Sequence, residues 1–532
     1  MNDQKPTLTD QAQTLIALFQ KPDETQIERV VETVKVSAAA SIPALFYERI
    51  RNVIEYHEDH LLRRNAIERI LERLLRNKVD NYAVSENLIK ELIWAKYLPN
   101  ETIPVTKIDE IAIVISSYRS VSQQAISGFG NIAQKKAQWL WSIASYDIER
   151  RLVETKKKEG IVNFMFQLAN PQIKLVGRKI SEEDKNIQVY IACHKALAKS
   201  DEAILRFLLL SFQLPNIGTD QNSQEKLSQN FDFYYTNIEK ALNNDAVQVI
   251  TRYLRKQIAP FLFLEDILRK YPGDDTVNDP KKLEEKITEI CMTRYKELGA
   301  RIRRAATRSI IYVFITKMFF AILIEIPIDR YLKEFRLMSL LINISVPPAM
   351  MFAFTLPVKA PGGKNTETVI KRIKGMLYQI KDQAELPLKP YEISLNPPHH
   401  GPVLTAILSL VYLATFIVTF GLILKILTIL KFSLISKGVF ILFLSAVAFF
   451  AYQIRQIAKD YTVSDHEGIF APIVDFFMVP ILYLGNLISK GLSRFNFFTF
   501  IFDIILEAPF KTIVKLLDEI SRFLRQKREE MV

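Results

Sequence analysis

Cysteine is scarce in this chain, and its scarcity limits the available chemistry. Only Cys193 and Cys291 are present among 532 residues, far apart and without a CxxC spacing. A disulfide-stapled domain or a thiolate metal site is therefore not expected. The sequence predicts no metal ligand and no cofactor.

Glycine is also scarce, at 16 residues, which is less than half of the average share of about 7 per cent. Phosphate-binding loops need closely spaced glycines so that backbone N–H groups can approach the anion, and neither GxxxxGK[ST] nor GxGxxG occurs. A GxSxG nucleophile elbow is missing as well. The sequence therefore identifies no catalytic residue and no cofactor-binding residue, and we do not expect an enzyme.

The first residues of the sequence, Met1–Pro6, carry neither the basic nor the apolar region of a secretory signal, so we expect the N-terminal half to stay in the cytosol. The net charge is +12. A basic chain suits nucleic acid, but the cytosolic flanks of a membrane protein are basic in any case. We therefore expect a lipid bilayer, and not nucleic acid, as a partner.

Hydrophobicity is distributed unevenly along the chain. The mean hydropathy of +0.08 averages a charged half and an apolar half, which meet near residue 305. In the charged half, apolar residues recur every three or four positions and do not alternate. These patterns predict an all-α fold, in which N-terminal cytosolic helical domains are followed by a polytopic helical membrane domain.

Two segments illustrate the helical prediction in the N-terminal half. Ile67, Ile70, Leu71 and Leu74 share one face of a segment whose other faces are charged, which predicts an amphipathic helix packed on one side. The segment Pro104–Ser116 is rich in β-branched residues and fits a short strand as well as a helix. We predict a helix there.

Clusters of turn residues mark the breaks between segments. Nothing interrupts the helical spacing between Pro280 and Ser309, so a stalk and the first membrane span are predicted to form one helix. The predicted domains are a soluble helical region at 1–280 with a subdomain break near 156–160 and a loop at 215–222, a stalk helix at 281–308, a four-span transmembrane core at 309–456 with a cytosolic loop at 359–401, and a re-entrant or interfacial amphipathic region at 457–532.

A membrane span needs about 20 largely apolar residues, because the hydrocarbon core is about 30 Å thick. Lysine and arginine are concentrated before the first such segment and between the second and third, so the positive-inside rule places both termini in the cytosol. We expect a multi-pass protein of the cell membrane, with the bacterial inner membrane as first choice, although an organellar membrane obeys the same rules. The four predicted spans are Ser309–Ile326, Leu337–Leu356, Val403–Leu424 and Phe432–Tyr452.

The segment Ile469–Ile488 is nearly long enough to be a fifth span, but it contains Pro472, Asp475 and Pro480. A fifth span would also place the many basic residues that follow it outside the cell. We therefore predict a re-entrant or interfacial segment, followed by an amphipathic helix from Phe510 onward at the cytosolic surface.

The loop between the second and third spans carries an apolar stripe on an otherwise basic helix. A helix of this kind binds the anionic lipids of a cytosolic leaflet. Packing against the soluble domain buries such a stripe equally well. Both alternatives are open from the sequence. The stripe consists of Val369, Ile373, Met376, Leu377 and Ile380.

Ionisable residues at membrane depth are the best candidates for a functional site, because each costs a few kcal/mol unless it is paired or wetted. Lys317, Glu325 and Asp475 are the candidates in this chain, with Asp503 and Glu507 further along. Lys317 and Glu325 are eight residues apart, a rise of about 12 Å along a helix. We therefore expect no direct ion pair between them, and snorkelling of Glu325 to the interface is the simpler alternative.

Two pairs of histidines are weaker candidates. His399 and His400 lie in a proline-rich segment just before the third span and are candidates for a metal or proton site, although a rigid loop explains them better. His57 and His60 are three residues apart, whereas the zinc protease motif places its histidines four apart. A solvated helix is the better explanation for that pair.

Three functions are compatible with these patterns. The first choice is a membrane-anchored scaffold or regulatory protein, whose cytosolic helical half binds a protein partner. The second is a component of an ion or solute transporter or channel, and the third is a membrane enzyme without a recognisable motif. The sequence does not identify the partner, the substrate or the oligomeric state.

Overall fold

The structure is a computed structural model of the chain. It describes residues 7–21, 32–36, 59–76, 80–126, 130–177, 180–272, 275–331, 337–355, 360–378, 391–394, 402–463, 471–494 and 520. The predicted C-terminal amphipathic helix from Phe510 onward lies outside these residues, apart from Ile520.

The described chain divides into two compact units, each with its own contacts. The N-terminal unit contains the described residues between 10 and 254, together with the short segment 391–394. The span unit contains the described residues 7–9, those between 255 and 378, and those between 402 and 494. Within both units the secondary structure is almost entirely helical, as the sequence predicts.

The N-terminal unit is built from eleven helices among the described residues. They are α1 (Asp10–Gln20), α2 (Asp59–Arg76), α3 (Asn81–Trp94), α4 (Thr106–Ala125), α5 (Asn131–Leu152), α6 (Lys156–Ala169), α7 (Glu182–Cys193), α8 (Glu202–Gln213), α9 (Gln221–Gln229), α10 (Phe231–Leu242) and α11 (Asp245–Arg255).

Local sequence signals account for several of these helices. The stripe of α2 is buried as predicted, with Ile67 and Leu71 fully enclosed. The β-branched segment lies in α4, so the helix prediction is confirmed there. Side chains of Asp201 and Asp220 cap α8 and α9 by accepting a backbone N–H of the first turn, which satisfies donors that a helix start leaves free.

A small parallel sheet is the part of the N-terminal unit that the sequence did not predict. Strand β1 (Ile173–Val176) pairs with β2 (Tyr391–Ser394), and Ile173 lies opposite Tyr391. Tyr391 stacks on Tyr253, with ring centroids 4.2 Å apart. Because β2 belongs to the predicted loop at 359–401, part of that loop is a component of the N-terminal unit.

The span unit begins with a short helix and then a very long one. Helix α12 (Ala259–Lys270) precedes α13 (Pro280–Phe320), which continues through a π-helical turn at Ala321–Glu325 into α14 (Ile326–Tyr331). The predicted continuity of stalk and first span is therefore observed. The remaining helices are α15 (Leu337–Thr355), α16 (Gly363–Leu377), α17 (Pro402–Ile429), α18 (Leu434–Lys459) and α19 (Ala471–Arg494).

Four helices among the described residues are long and apolar enough to cross a bilayer: Pro280–Tyr331, Leu337–Thr355, Pro402–Ile429 and Leu434–Gln456. Each overlaps one of the predicted spans, although the second helix ends one residue before the predicted span and the fourth begins two residues after it. Most large side chains of α17 are exposed, including Val403 and Ile417. Exposed apolar surface of this extent is compatible with a membrane protein.

Helices α13, α15 and α18 contact one another and form the core of the span unit. Buried apolar residues from all three helices meet there, among them Val313, Met351 and Val447. Helix α19 packs on α17 and α18. The backbone of Gly485 in α19 lies so close to the carbonyl of Ser445 in α18 that a Cβ atom would collide with it.

Four of the five residues of the predicted apolar stripe lie on α16, where the protein itself covers them, and the fifth, Ile380, lies outside the described residues. Val369 and Ile373 are fully buried, and α16 packs against α12 and α13. Arg372 of α16 donates to Gln257 at 2.8 Å. Of the two alternatives that the sequence leaves open, burial within the protein therefore accounts for this face.

Candidate functional site

A π-helical turn shapes the part of the first span where its charged residues lie. The N–H of Ile326 donates to the carbonyl of Ala321, five residues earlier. Pro327 follows at once, and a proline inside a helix removes one N–H donor and pushes its ring against the carbonyl four residues before it, here that of Leu323. A wider turn at Leu323 relieves that clash, and π turns of this kind are frequent at functional sites.

The wide turn brings Lys317 and Glu325 together. Lys317 Nζ lies 2.5 Å from Glu325 Oε1, and neither side chain is exposed. The expectation that eight residues separate them too far for direct pairing is therefore wrong. One α turn of 3.6 residues and one wider turn together span about eight residues, so the two side chains share a face, and their length closes the gap along the axis. Glu325 does not snorkel.

The lysine is also placed on an aromatic ring. Lys317 Nζ lies 5.0 Å from the centroid of the Phe443 ring in α18, within the range of a cation–π interaction. Because Phe443 belongs to the core of the span unit, the ammonium group is enclosed by an ion pair on one side and an aromatic face on another.

Three further polar residues complete the cluster, and none of them was predicted. Asn343 of α15 donates its amide N–H to Glu325 Oε2. Ser436 of α18 lies with its Oγ 3.2 Å from Asp329 Oδ2 and 3.5 Å from Glu325 Oε2, so its hydroxyl bridges the two carboxylates. All three residues are at least nine-tenths buried. The first span, α15 and α18 thus contribute to one polar site.

Two oxygen atoms of this site have no hydrogen-bond partner among the described residues. They are Asp329 Oδ1 and Asn343 Oδ1. A buried polar atom without a partner loses the free energy of hydration without compensation, about 1–3 kcal/mol. The arrangement therefore leaves acceptor capacity on two different helices inside an apolar bundle.

Apart from that of His60, the side chains of the other predicted candidates lie outside the residues that the structure describes. Asp475 lies in helix α19, but its side chain is outside the described part of the chain. Asp503, Glu507, His399, His400 and His57 are also outside it. In the described ranges, no group of three or more His, Cys, Asp and Glu side chains could hold a metal ion.

The N-terminal unit contains buried ionisable groups of a different kind. Burial raises the pKa of Glu149 from 4.5 to about 7, even though Arg63 Nε donates to it at 2.8 Å. Burial likewise lowers the pKa of His194 to about 3, so its imidazole is neutral at ordinary pH. Since Arg63 and Glu149 join α2 to α5, we interpret this pair as structural.

Known proteins provide no analogy for either unit. No protein-family model matches the chain, and no curated protein or solved structure is significantly similar to it. The function is therefore inferred from the geometry.

Proposed function

We propose that the protein is a component of an ion or solute transport system in a membrane, and that the cluster around Lys317 and Glu325 is its coupling site. The single observation that supports this most strongly is the fully buried ion pair inside a bundle of apolar helices. The sequence alone favoured a scaffold, and the geometry gives the runner-up a positive argument.

The argument is energetic. Moving a carboxylate or an ammonium group out of water has a penalty of several kcal/mol per ion, and apolar residues of similar volume often make a bundle equally stable or more stable. A buried pair is therefore weak support for a purely structural role. Ionisable groups inside membrane spans generally belong to ion paths or proton relays, and the π turn beside this pair supports the same interpretation.

The test is charge movement by the full-length protein in proteoliposomes on a solid-supported membrane, after steps of Na⁺, K⁺ or pH. We expect a charge displacement for at least one of the three ions. The double variant Lys317→Met/Glu325→Gln should reduce it at least tenfold. Lys425→Met, which removes an exposed lysine from α17, is the matched control and should leave it unchanged. An electrically silent wild type, or a fully active double variant, would contradict the proposal.

We further propose that the protein is a multi-pass protein of the cell membrane, a bacterial inner membrane in the first place, with the N-terminal unit and both termini in the cytosol. The support is the concentration of basic residues beside the spans. Alkaline phosphatase and fluorescent-protein fusions after residue 334 and after residue 532 test it. A phosphatase that is active after residue 532 would refute this orientation.

A membrane-anchored scaffold is the second candidate, and strand β2 is the observation that favours it. The chain leaves the span unit between the second and third candidate spans, adds β2 to the N-terminal unit, and returns. A scaffold would thereby be attached to its anchor at more than one point of the chain. Purification from native membranes in mild detergent should then yield a stoichiometric protein partner that is lost when residues 10–254 are deleted. Recovery of the protein with lipid only would contradict it.

A further inference from the structure

We infer that Glu325, Asp329, Asn343 and Ser436 form a binding site for one additional positive charge, carried by Na⁺. The inference deepens the proposed transport function, because it names the ion class and the residues. Binding itself does not require that the ion be transported, so the two ideas can fail separately.

The first step is a count of charge. Among the described side chains of the cluster, one is a cation, Lys317, and two are carboxylates, Glu325 and Asp329. With every group ionised, the buried cluster therefore carries one unbalanced negative charge. An uncompensated charge in a low-dielectric interior is neutralised by a proton or by a bound ion.

The second step locates the unbalanced charge. Glu325 uses Oε1 for Lys317 and Oε2 for Asn343 and Ser436. Asp329 has only the hydroxyl of Ser436 on Oδ2, and its Oδ1 has no partner in the described part of the chain. The additional positive charge is therefore expected beside Asp329.

The third step concerns the ligands. The amide of Asn343 donates into the cluster, so this side chain is directed at the site, and its carbonyl oxygen has no partner there. Carboxylate, amide and hydroxyl oxygens are the donors that hard cations prefer. The cluster offers these oxygens from the first span, α15 and α18.

The charge count also favours a monovalent ion. A divalent cation would turn a deficit of one charge into an excess of one inside the bundle. Two carboxylates are present, and Lys317 already neutralises one of them. Only the remaining negative charge is left for a ligand, which matches Na⁺.

The test is binding of ²²Na⁺ to the full-length protein in detergent, measured by scintillation proximity at pH 8 in choline chloride. If Na⁺ carries the charge, binding saturates near one ion per chain. Asp329→Asn should weaken it at least tenfold, and Ser436→Ala, which removes the bridging hydroxyl, should weaken it severalfold. Glu367→Gln, which neutralises an exposed carboxylate on α16, is the matched control and should bind like the wild type.

The inference is overturned if the wild type binds no Na⁺, or if Asp329→Asn binds Na⁺ like the wild type. Ser436→Ala provides the same comparison should Asp329→Asn fail to purify as a single species.

The Na⁺-binding measurement and the charge-movement measurement together separate this inference from the transport function. Binding that depends on Asp329, without charge movement in proteoliposomes, would support the site and contradict the transport function. Charge movement that is unchanged in Asp329→Asn would do the reverse.

Discussion

Replacing Lys317 by methionine removes the only cation that contacts Glu325 in the described cluster and leaves two carboxylates buried together. Methionine keeps the length and most of the volume of the lysine stem. We expect the free energy of unfolding of the span unit to fall by about 3–5 kcal/mol, which is typical when one partner of a buried ion pair is removed. Glu325→Gln should be milder, since Lys317 and Asp329 then balance each other.

The net contribution of the ion pair to stability results from two opposing free energies. At 2.5 Å between Nζ and Oε1 and an effective dielectric constant near 20, the Coulomb attraction is about 7 kcal/mol. Desolvation of the two ions opposes it with several kcal/mol each, so the net contribution of the intact pair is close to zero. Lys317→Met/Glu325→Gln should therefore be close to the wild type in stability. The double variant recovers most of what the single variant loses.

The assay has to report on the span unit alone. All three tryptophans, Trp94, Trp139 and Trp141, lie in the N-terminal unit, so their fluorescence does not follow the spans. Cys291 is buried in α13 of the span unit. In a Cys193→Ala background, a thiol-reactive dye that becomes fluorescent on reaction with Cys291 follows thermal unfolding of that unit in detergent.

The order of the melting temperatures of the variants tests this prediction. Lys317→Met should melt several degrees below the wild type, and the double variant should melt near it. Lys425→Met is the control, because its lysine is exposed. If the single and double variants melt at the same temperature, the two charges do not interact energetically and the argument from the buried pair fails.

Three further predictions concern other buried contacts. Because the pKa of Glu149 in the folded protein, about 7, lies above its ordinary value of 4.5, stability of the N-terminal unit should fall by at most about 3 kcal/mol as pH rises between these values. In Glu149→Gln, followed by tryptophan fluorescence, this decrease should vanish. Gly218→Ala, whose Cβ would collide with Asp147, should destabilise the same unit by about 1–3 kcal/mol. Gly485→Val should separate α19 from Ser445 and lower the melting temperature reported by Cys291.

One further glycine, Gly421, is the control for the two glycine substitutions. Gly421 of α17 has no atom within 4 Å of the position where a Cβ would be added, and alanine in a helix is intrinsically better than glycine. Gly421→Ala should therefore be neutral or slightly stabilising. A flat pH profile in the wild type between 4.5 and 7 would contradict the prediction for Glu149.

Long apolar segments and helical periodicity were sufficient to predict the four candidate spans and the helical N-terminal unit. The strands β1 and β2 could not be predicted in this way, since each has four residues and their partners are more than 200 positions apart. A strand that short shows no measurable alternation. Their pairing depends on the tertiary arrangement.

The functional cluster was predictable only in part. Lys317 and Glu325 stand out in the sequence because charge at membrane depth is expensive. Asp329, Asn343 and Ser436 do not stand out, since each is an ordinary polar residue near the end of an apolar segment. Pro327 was the available signal, because a proline within a span implies a local change in helical pitch. A wider turn changes which residues share a face, and the eight-residue spacing was judged on a regular helix.

The total number of glycines was a poor guide to how closely the spans approach. Small residues are few in the chain, but the packing depends on where they lie. Ser445 and Ala448 are both buried in α18, and Ala448 shares a cluster with Ile481 of α19, so they mark the face of α18 toward α19. Gly485 of α19 meets that face at the carbonyl of Ser445. Small residues at a helix contact let backbones approach closely, and α18 also carries Ser436 and Phe443 of the polar cluster. Helix α18 therefore contacts both α19 and the charged cluster around Lys317.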